Sequence, residues 1–212
     1  MFSLTLQSTD NQIVANETVG QIQFAASSES DGGAAIAIAG GIYCKAEGSF
    51  QSASNPTSIV IATASADASA AVDRVKISED GHFLPVTDDS YDIGSENLQF
   101  KRMFLAGGFK TPIESNTDGA TITFDMDEAN THTVTLGGNR TLALSNVDVG
   151  QKFIIRLVQD GTGSRTVTWF TTIKWPGNLE PTLTETVNKT DVFGFICTAT
   201  NQYDGYVIGY NL

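Results

Sequence analysis

Cysteine, histidine and positive charge are all scarce in this chain. There are two cysteines and two histidines in 212 residues, and neither Cys44 nor Cys197 has a second ligand at metal-binding spacing beside it. That argues against a zinc site or a disulfide framework, so both thiols are expected to be reduced and buried. Twelve Lys and Arg against 24 Asp and Glu leave a formal net charge of -12. No basic cluster interrupts that field, which repels phosphate backbones and excludes nucleic acid as a partner. No run of about 18 apolar residues exists to form a membrane-spanning helix. The opening MFSLTLQSTDN lacks the basic and then apolar pattern of a secretory signal, so synthesis in the cytoplasm without membrane insertion is expected.

Apolar residues are plentiful, at 41%, while charged residues make up 17%, a balance that supports a packed core. The apolar positions alternate with period two and no window carries a sustained helical stripe, so the chain reads as nearly all-β. Early strands are expected at Leu4 to Leu6, Ile22 to Phe24, Ile36 to Ala46, Ile59 to Ala62 and Arg74 to Ile77, separated by Gly, Ser, Asn and Asp. In AAIAIAGGIYCKA alanines fill the places between isoleucines, leaving one face with little bulk. The Ala62 to Ala71 segment reads as an exposed loop, because its Ser and Asp compete with helix formation and it has no large apolar residue. A first half this thin cannot bury enough area to offset about 1–2 kcal/mol of conformational entropy per residue, so a partner chain is expected.

From Ala120 onward the strands are better filled: TITFDM, HTVTL, RTLAL, QKFIIRLVQD, SRTVTWF, TDVFGFICTAT and GYVIGYNL. Their spacing is that of a sandwich or barrel, and this half is expected to fold by itself. Gly137-Gly138-Asn139 and the stretch from Asp160 to Gly163 suit hairpin turns. Phe153, Ile155 and Leu157 alternate with Ile154, Arg156 and Val158, which predicts a central strand or one covered on both faces. Between the halves lies DDSYDIGSENLQFKRMFLAGG, read as a tight turn with Gly94 at positive φ, then at most one helical turn, then a short strand KRMFLAGG.

Three segments in order resemble bacteriophage tail fibres and related virion fibres. GQIQFAASSES, IYCKAEGSFQSASNPTSIVIATAS and DRVKISEDGHFLP resemble a fibre module in which Pro-Thr precedes a strand and an Arg-containing strand ends at an Asp-Gly turn. DSYDIGSENLQFKRMFLAG resembles an aromatic turn-and-strand unit of such fibres, and GQKFIIRLVQDGTGSRTVTWFTTIKWPGNLEPTLTETVNKTDVFGFIC resembles a β-sandwich found at fibre ends. The resemblance implies a trimeric β-rich appendage of the virion, made in the host cytoplasm. It departs from the fibre pattern in having little sequence ahead of the first module, so a long anchoring domain is expected to be absent.

Candidate chemistry is sparse. Asp125, Asp127 and Glu128 in FDMDEAN form the densest acidic group; a solvated turn is the first reading, calcium ligation the second and catalysis the last. His82 and His132 lack a nucleophile pattern nearby and read as surface histidines. QDGTGS lacks the Lys and helix of a phosphate loop. Aromatic rings form sugar platforms when exposed, which nominates Trp175 beside Pro176-Gly177, Tyr203 at an expected hairpin tip, and Tyr206; Trp169, alternating with Val167, reads as core.

The expected architecture is therefore an intertwined, trimeric fibre-type β module over 1–85, a connector over 86–117 and a jelly-roll-like β-sandwich over 118–212. Expected partners are two further copies, other virion proteins, and a host surface glycan or protein, with no cofactor and no enzymatic activity. Ile36, Ile38, Tyr91, Phe100 and Phe104 are the trimer-interface candidates, and Phe104→Ala is expected to weaken assembly more than it alters the sandwich. A capsid fibre, baseplate or decoration protein is the alternative, and a polysaccharide depolymerase a more distant one.

Overall fold

A computed structural model describes residues 2–25, 38–65 and 70–212, and its architecture is all-β. The chain divides into two units, one ending at Met103 and one beginning at Phe104. That division falls inside the segment read as a connector.

The first unit is a five-stranded antiparallel meander in chain order: β1 (Thr18–Ala25), β2 (Ile38–Ala46), β3 (Thr57–Thr63), β4 (Val72–Ile77) and β5 (Phe83–Pro85). The Asp80-Gly81 turn closes β4 onto β5; Gly81 sits at φ 80°, and the Ser78 amide donates to the His82 carbonyl. Such a turn favours glycine because a Cβ is strained at positive φ. On one face Tyr43 donates to Asp73, and Lys76 pairs with Glu47 at 3.0 Å. Beneath them Ser58, Val60 and Ala62 are buried.

The second unit carries the hydrophobic core. Its strands are β6 (Glu114–Ser115), β7 (Thr121–Asp125), β8 (Thr131–Leu136), β9 (Arg140–Ser145), β10 (Lys152–Gln159), β11 (Val167–Thr168), β12 (Ile173–Lys174), β13 (Thr190–Ala199) and β14 (Gln202–Gly209). They form a six-stranded sheet, β12-β14-β13-β10-β8-β6, and a three-stranded one, β11-β9-β7. From β6 to β12 successive strands alternate between the two sheets, and β6, β8 and β10 run parallel, as do β7, β9 and β11. The sandwich is thus wound as a coil and closed by the antiparallel β13–β14 hairpin.

Consequently the glycine turns read as hairpins are corners between sheets. Gly137-Gly138-Asn139 carries the chain from β8 to β9, and Asp160 to Gly163 carries it from β10 toward β11. Each corner is tied by a bidentate carboxylate: Asp118 accepts from Arg140 at 2.6 and 2.8 Å, and Asp160 from Arg165 Nη2 at 2.8 Å and Nε at 3.1 Å. The Asp160 carboxylate also accepts the Thr162 and Gly163 amides, and these donors hold it down at a pKa of about 2.

Alternation explains the core. Phe124, Val134, Leu136, Leu142, Phe153, Ile155, Phe193 and Phe195 all point between the sheets. β10 is central, between β8 and β13; its Phe153, Ile155 and Leu157 are buried while Ile154, Arg156 and Val158 are half-buried on the outer side. Burying each of the large side chains contributes roughly 1.5–3 kcal/mol before entropy is counted.

Several local expectations differ from the structure. Among the described residues Leu4 to Leu6 pairs with no strand, and SRTVTWF supplies only the two residues of β11. Gly94 does adopt φ 97° and a turn links Ser95 to Leu98, but KRMFLAGG forms no strand. The second unit also starts before residue 118, because Glu114 and Ser115 pair with His132 and Thr133. Of the Ala62 to Ala71 segment, the first two residues complete β3 and residues 66–69 lie outside the described ones.

Candidate functional site: an uncovered apolar sheet face

The strand register of the first unit builds an apolar face. Ile22, Ile42, Ile61, Val75 and Pro85 form one row across all five strands, and Gly20, Cys44, Ile59, Ile77 and Phe83 form the next. Neither row contains a charged residue. Ile22 is 47% exposed, Ile42, Ile59 and Ile77 are each 44%, Ile61 is 41%, and Phe24 and Phe83 reach 60% and 62%. Arg74, the extra residue of a bulge in β4, reaches Thr63 and the Tyr91 hydroxyl at the rim, with its guanidinium 5.6 Å from the Tyr91 ring centre. Where Val75, Phe83 and Pro85 meet Tyr91, Ile93 and Phe100, the face deepens into an apolar hollow of about 300 Å³.

Taking ~200 Å² for a whole large apolar residue, the seven exposed side chains of this face amount to about 700 Å². Monomers rarely expose a patch above about 300–600 Å² without an interaction to match it. A domain also needs a second packed layer, and the buried core cluster of the described residues belongs entirely to the second unit.

Of the proposed interface residues, Tyr91 and Phe100 line the hollow and Phe104 is 88% exposed. Ile38 lies on the opposite side: a bulge pairs it with Ala25, and it lines a second hollow with Gln21, Gln23 and Tyr43. Counting residues from Ile42 places it on the apolar face, and the one-residue bulge reverses that. Ile36 lies outside the described residues. Cys44 is half-buried in the second apolar row rather than in a core, whereas Cys197 is buried, donates to the Ala199 carbonyl, and has its thiol pKa pushed up by burial.

No family model matches the chain and no curated protein matches it. Among solved structures it is similar to the carboxy-terminal domain of the bacteriophage T5 L-shaped tail fibre, at 16% identity and a TM-score of 0.41 over 52% of this chain and 41% of that one. A second structure of that domain, with its intra-molecular chaperone domain, gives 18% identity and a TM-score of 0.40 over 52% of this chain and 28% of that one. The chain spans less than half the length of either.

The aromatic candidates of the second unit separate. Trp175 is 8% exposed and Tyr203 4%, which corrects the expectation that they form open platforms. Tyr203 stands in β14 beyond the turn, opposite Cys197, and its ring packs against Phe153 and Phe170. Trp175 packs on Trp169 at 5.1 Å and on Phe195 at 5.7 Å, and it borders a shallow hollow of about 230 Å³ with Thr171, Thr172 and Glu180. Trp169 is core, as its alternation implied. Tyr206 is 44% exposed and is the one ring of the three that stands open on the surface.

The acidic turn forms no ligand cage. Asp125 accepts from Asn146 and from the Asp127 amide, while Asp127 and Glu128 point to solvent. Among the described residues no three His, Cys, Asp or Glu side chains converge on a metal-sized point, and no helix is long and apolar enough to cross a membrane.

His82 is exposed, but His132 is wholly buried. Its Nδ1 lies 3.0 Å from Asn116 Oδ1 and its Nε2 2.8 Å from the Ala129 carbonyl, and burial lowers its pKa. The signal was available: in HTVTL, His132 shares its face with Val134 and Leu136.

Proposed function

We propose that the chain is a non-enzymatic structural protein of a bacteriophage virion, a fibre that assembles as a homotrimer through its first unit and meets the host receptor through its second. The observation that carries this reading is the contrast between the units: one holds a complete aromatic core, the other an in-register apolar sheet face left open to solvent. Such a sheet is an assembly element, since its missing layer is supplied by association. The ordered resemblance of three sequence segments to virion fibres supplies the biological setting. The closed second unit is free to act as the outward surface, with Tyr206 as its exposed aromatic contact.

Multi-angle light scattering of the full chain tests assembly: a mass of three chains is expected, and a stable monomer at micromolar concentration overturns it. Image reconstruction of the particle tests the attachment role. Density for this chain at the distal end of a tail fibre is expected; a place on the capsid or baseplate, buried against other virion proteins, overturns receptor contact.

A further inference from the structure

The residues joining the two sheet systems make a second unpartnered apolar element. From Lys101 to Ile113 the chain forms no strand and, among the described residues, no hydrogen bond. It nevertheless exposes Met103 (59%), Phe104 (88%), Leu105 (56%), Phe109 (78%) and Ile113 (58%). A solvated linker is usually polar; this one carries about 700 Å² of exposed apolar side chain on the same ~200 Å² scale. That matches the sheet face in area, and the two together make about 1,400 Å², within the range of about 1,200–2,000 Å² buried by stable interfaces.

Charge separates them in the complementary sense. The strap has Lys101, Arg102 and Lys110 and no acidic residue, in a chain whose net charge is -12. None of the three pairs with a carboxylate among the described residues. Around the apolar hollow the sequence is the reverse: Glu79, Asp80, Asp88, Asp89, Asp92 and Glu96 occur with no Lys or Arg from 79 to 96, and Asp92 lines the hollow itself.

We propose that the strap of residues 101–113 from one copy seats on the apolar face of the first unit of a neighbouring copy, with a large apolar side chain entering the hollow between Val75, Phe83, Pro85, Tyr91, Ile93 and Phe100. This rests on the reading of the chain as a homo-oligomer. Each surface is left open by the unit that carries it, and exchange between copies satisfies both at once, as in a segment swap. Thirteen extended residues reach roughly 45 Å, enough to cross a five-stranded sheet about 20–25 Å wide. The basic residues then stand near the acidic 79–96 segment, whose six carboxylates outnumber the Arg74 guanidinium at the Tyr91 rim, which aligns the strap and reduces the repulsion between copies.

The test uses the full chain with Cys44→Ala, leaving Cys197 buried, and carrying Phe83→Cys together with Phe104→Cys. A short bismaleimide should give covalent species of up to three chains on a denaturing gel. A single-chain species with both new thiols consumed, or no cross-link while light scattering still shows the parent oligomer, overturns the proposal. If the parent chain is itself a monomer, the homo-oligomer reading fails and this one with it. Should the cysteine pair disturb assembly, Lys101→Glu with Arg102→Glu supplies a second measurement. Dilution followed by light scattering should show dissociation at a concentration at least tenfold higher than for the parent; unchanged dissociation overturns the strap's role.

Discussion

A single methyl group at Gly205 should destabilise the second unit. Gly205 lies in β14 opposite Phe195, and a Cβ built there would sit 2.6 and 2.7 Å from Trp175 Cζ3 and Cε3 and 2.8 Å from Ile173 Cγ2. Contacts below 3 Å require movement, and the obstructing atoms belong to an indole already wedged against Trp169 and Phe195. Overpacking of this kind costs about 1–3 kcal/mol. For a unit of this size each kcal/mol lowers the melting temperature by about 4–8 °C, so Gly205→Ala should lower it by on the order of 10 °C. Both tryptophans, Trp169 and Trp175, are in this unit, so the fluorescence melt reports on it alone. Gly161→Ala is the control: nothing lies within 4 Å of its added Cβ, and it should stay within about 0.5 kcal/mol of the parent. An unshifted melt for Gly205→Ala would refute the packing of Trp175 against β14, and with it the withdrawal of Trp175 as an open platform.

The buried Asp191 carboxylate accepts the Thr184 amide at 2.6 Å and the Asn211 amide at 3.0 Å. Asp191→Ala leaves both donors unpaired, a loss of about 2–4 kcal/mol, and hydrogen exchange should quicken first at Thr184 and Asn211; uniform exchange across the unit would contradict a local latch. His132 binds a proton less readily folded than unfolded, so stability is complete above its unfolded pKa of about 6.5 and declines as pH falls below it. Asp118, Asp125 and Asp160 also have lowered pKa values, but their stabilisation is lost only below the unfolded Asp value of about 3.9. Replacement by His132→Gln should therefore flatten the melting temperature below about pH 6.5 and above the range where the carboxylates titrate, and leave the more acidic decline in place; an unchanged profile in the upper window would remove His132 as its cause. Thiol labelling of the assembled parent should leave Cys44 as well as Cys197 unmodified, with both reacting in denaturant; rapid native labelling at Cys44 would show the apolar face uncovered.

Period-two alternation determined most of what the sequence could determine: an all-β chain, the weak first half and the filled second half, and the two alternating residue sets of a central β10. These depend on which residues share a face of a strand, a property that neighbours in sequence settle. The same alternation carried the information that His132 points inward with Val134 and Leu136, although histidine's usual exposure obscured it. Tertiary structure alone decided how the strands pair. A glycine turn reads the same whether it closes a hairpin or a corner between sheets, so the coil through β6 to β12 could not be distinguished from an antiparallel sandwich. Register decided the rest: β3 alternates apolar residues on both faces, and only its pairing with β2 and β4 shows Val60 beneath Tyr43 and Lys76 while Ile59 and Ile61 remain open. A single bulge removed Ile38 from that face, and the packing of β14 enclosed Tyr203, because side-chain direction across a sheet follows long-range pairing rather than local composition.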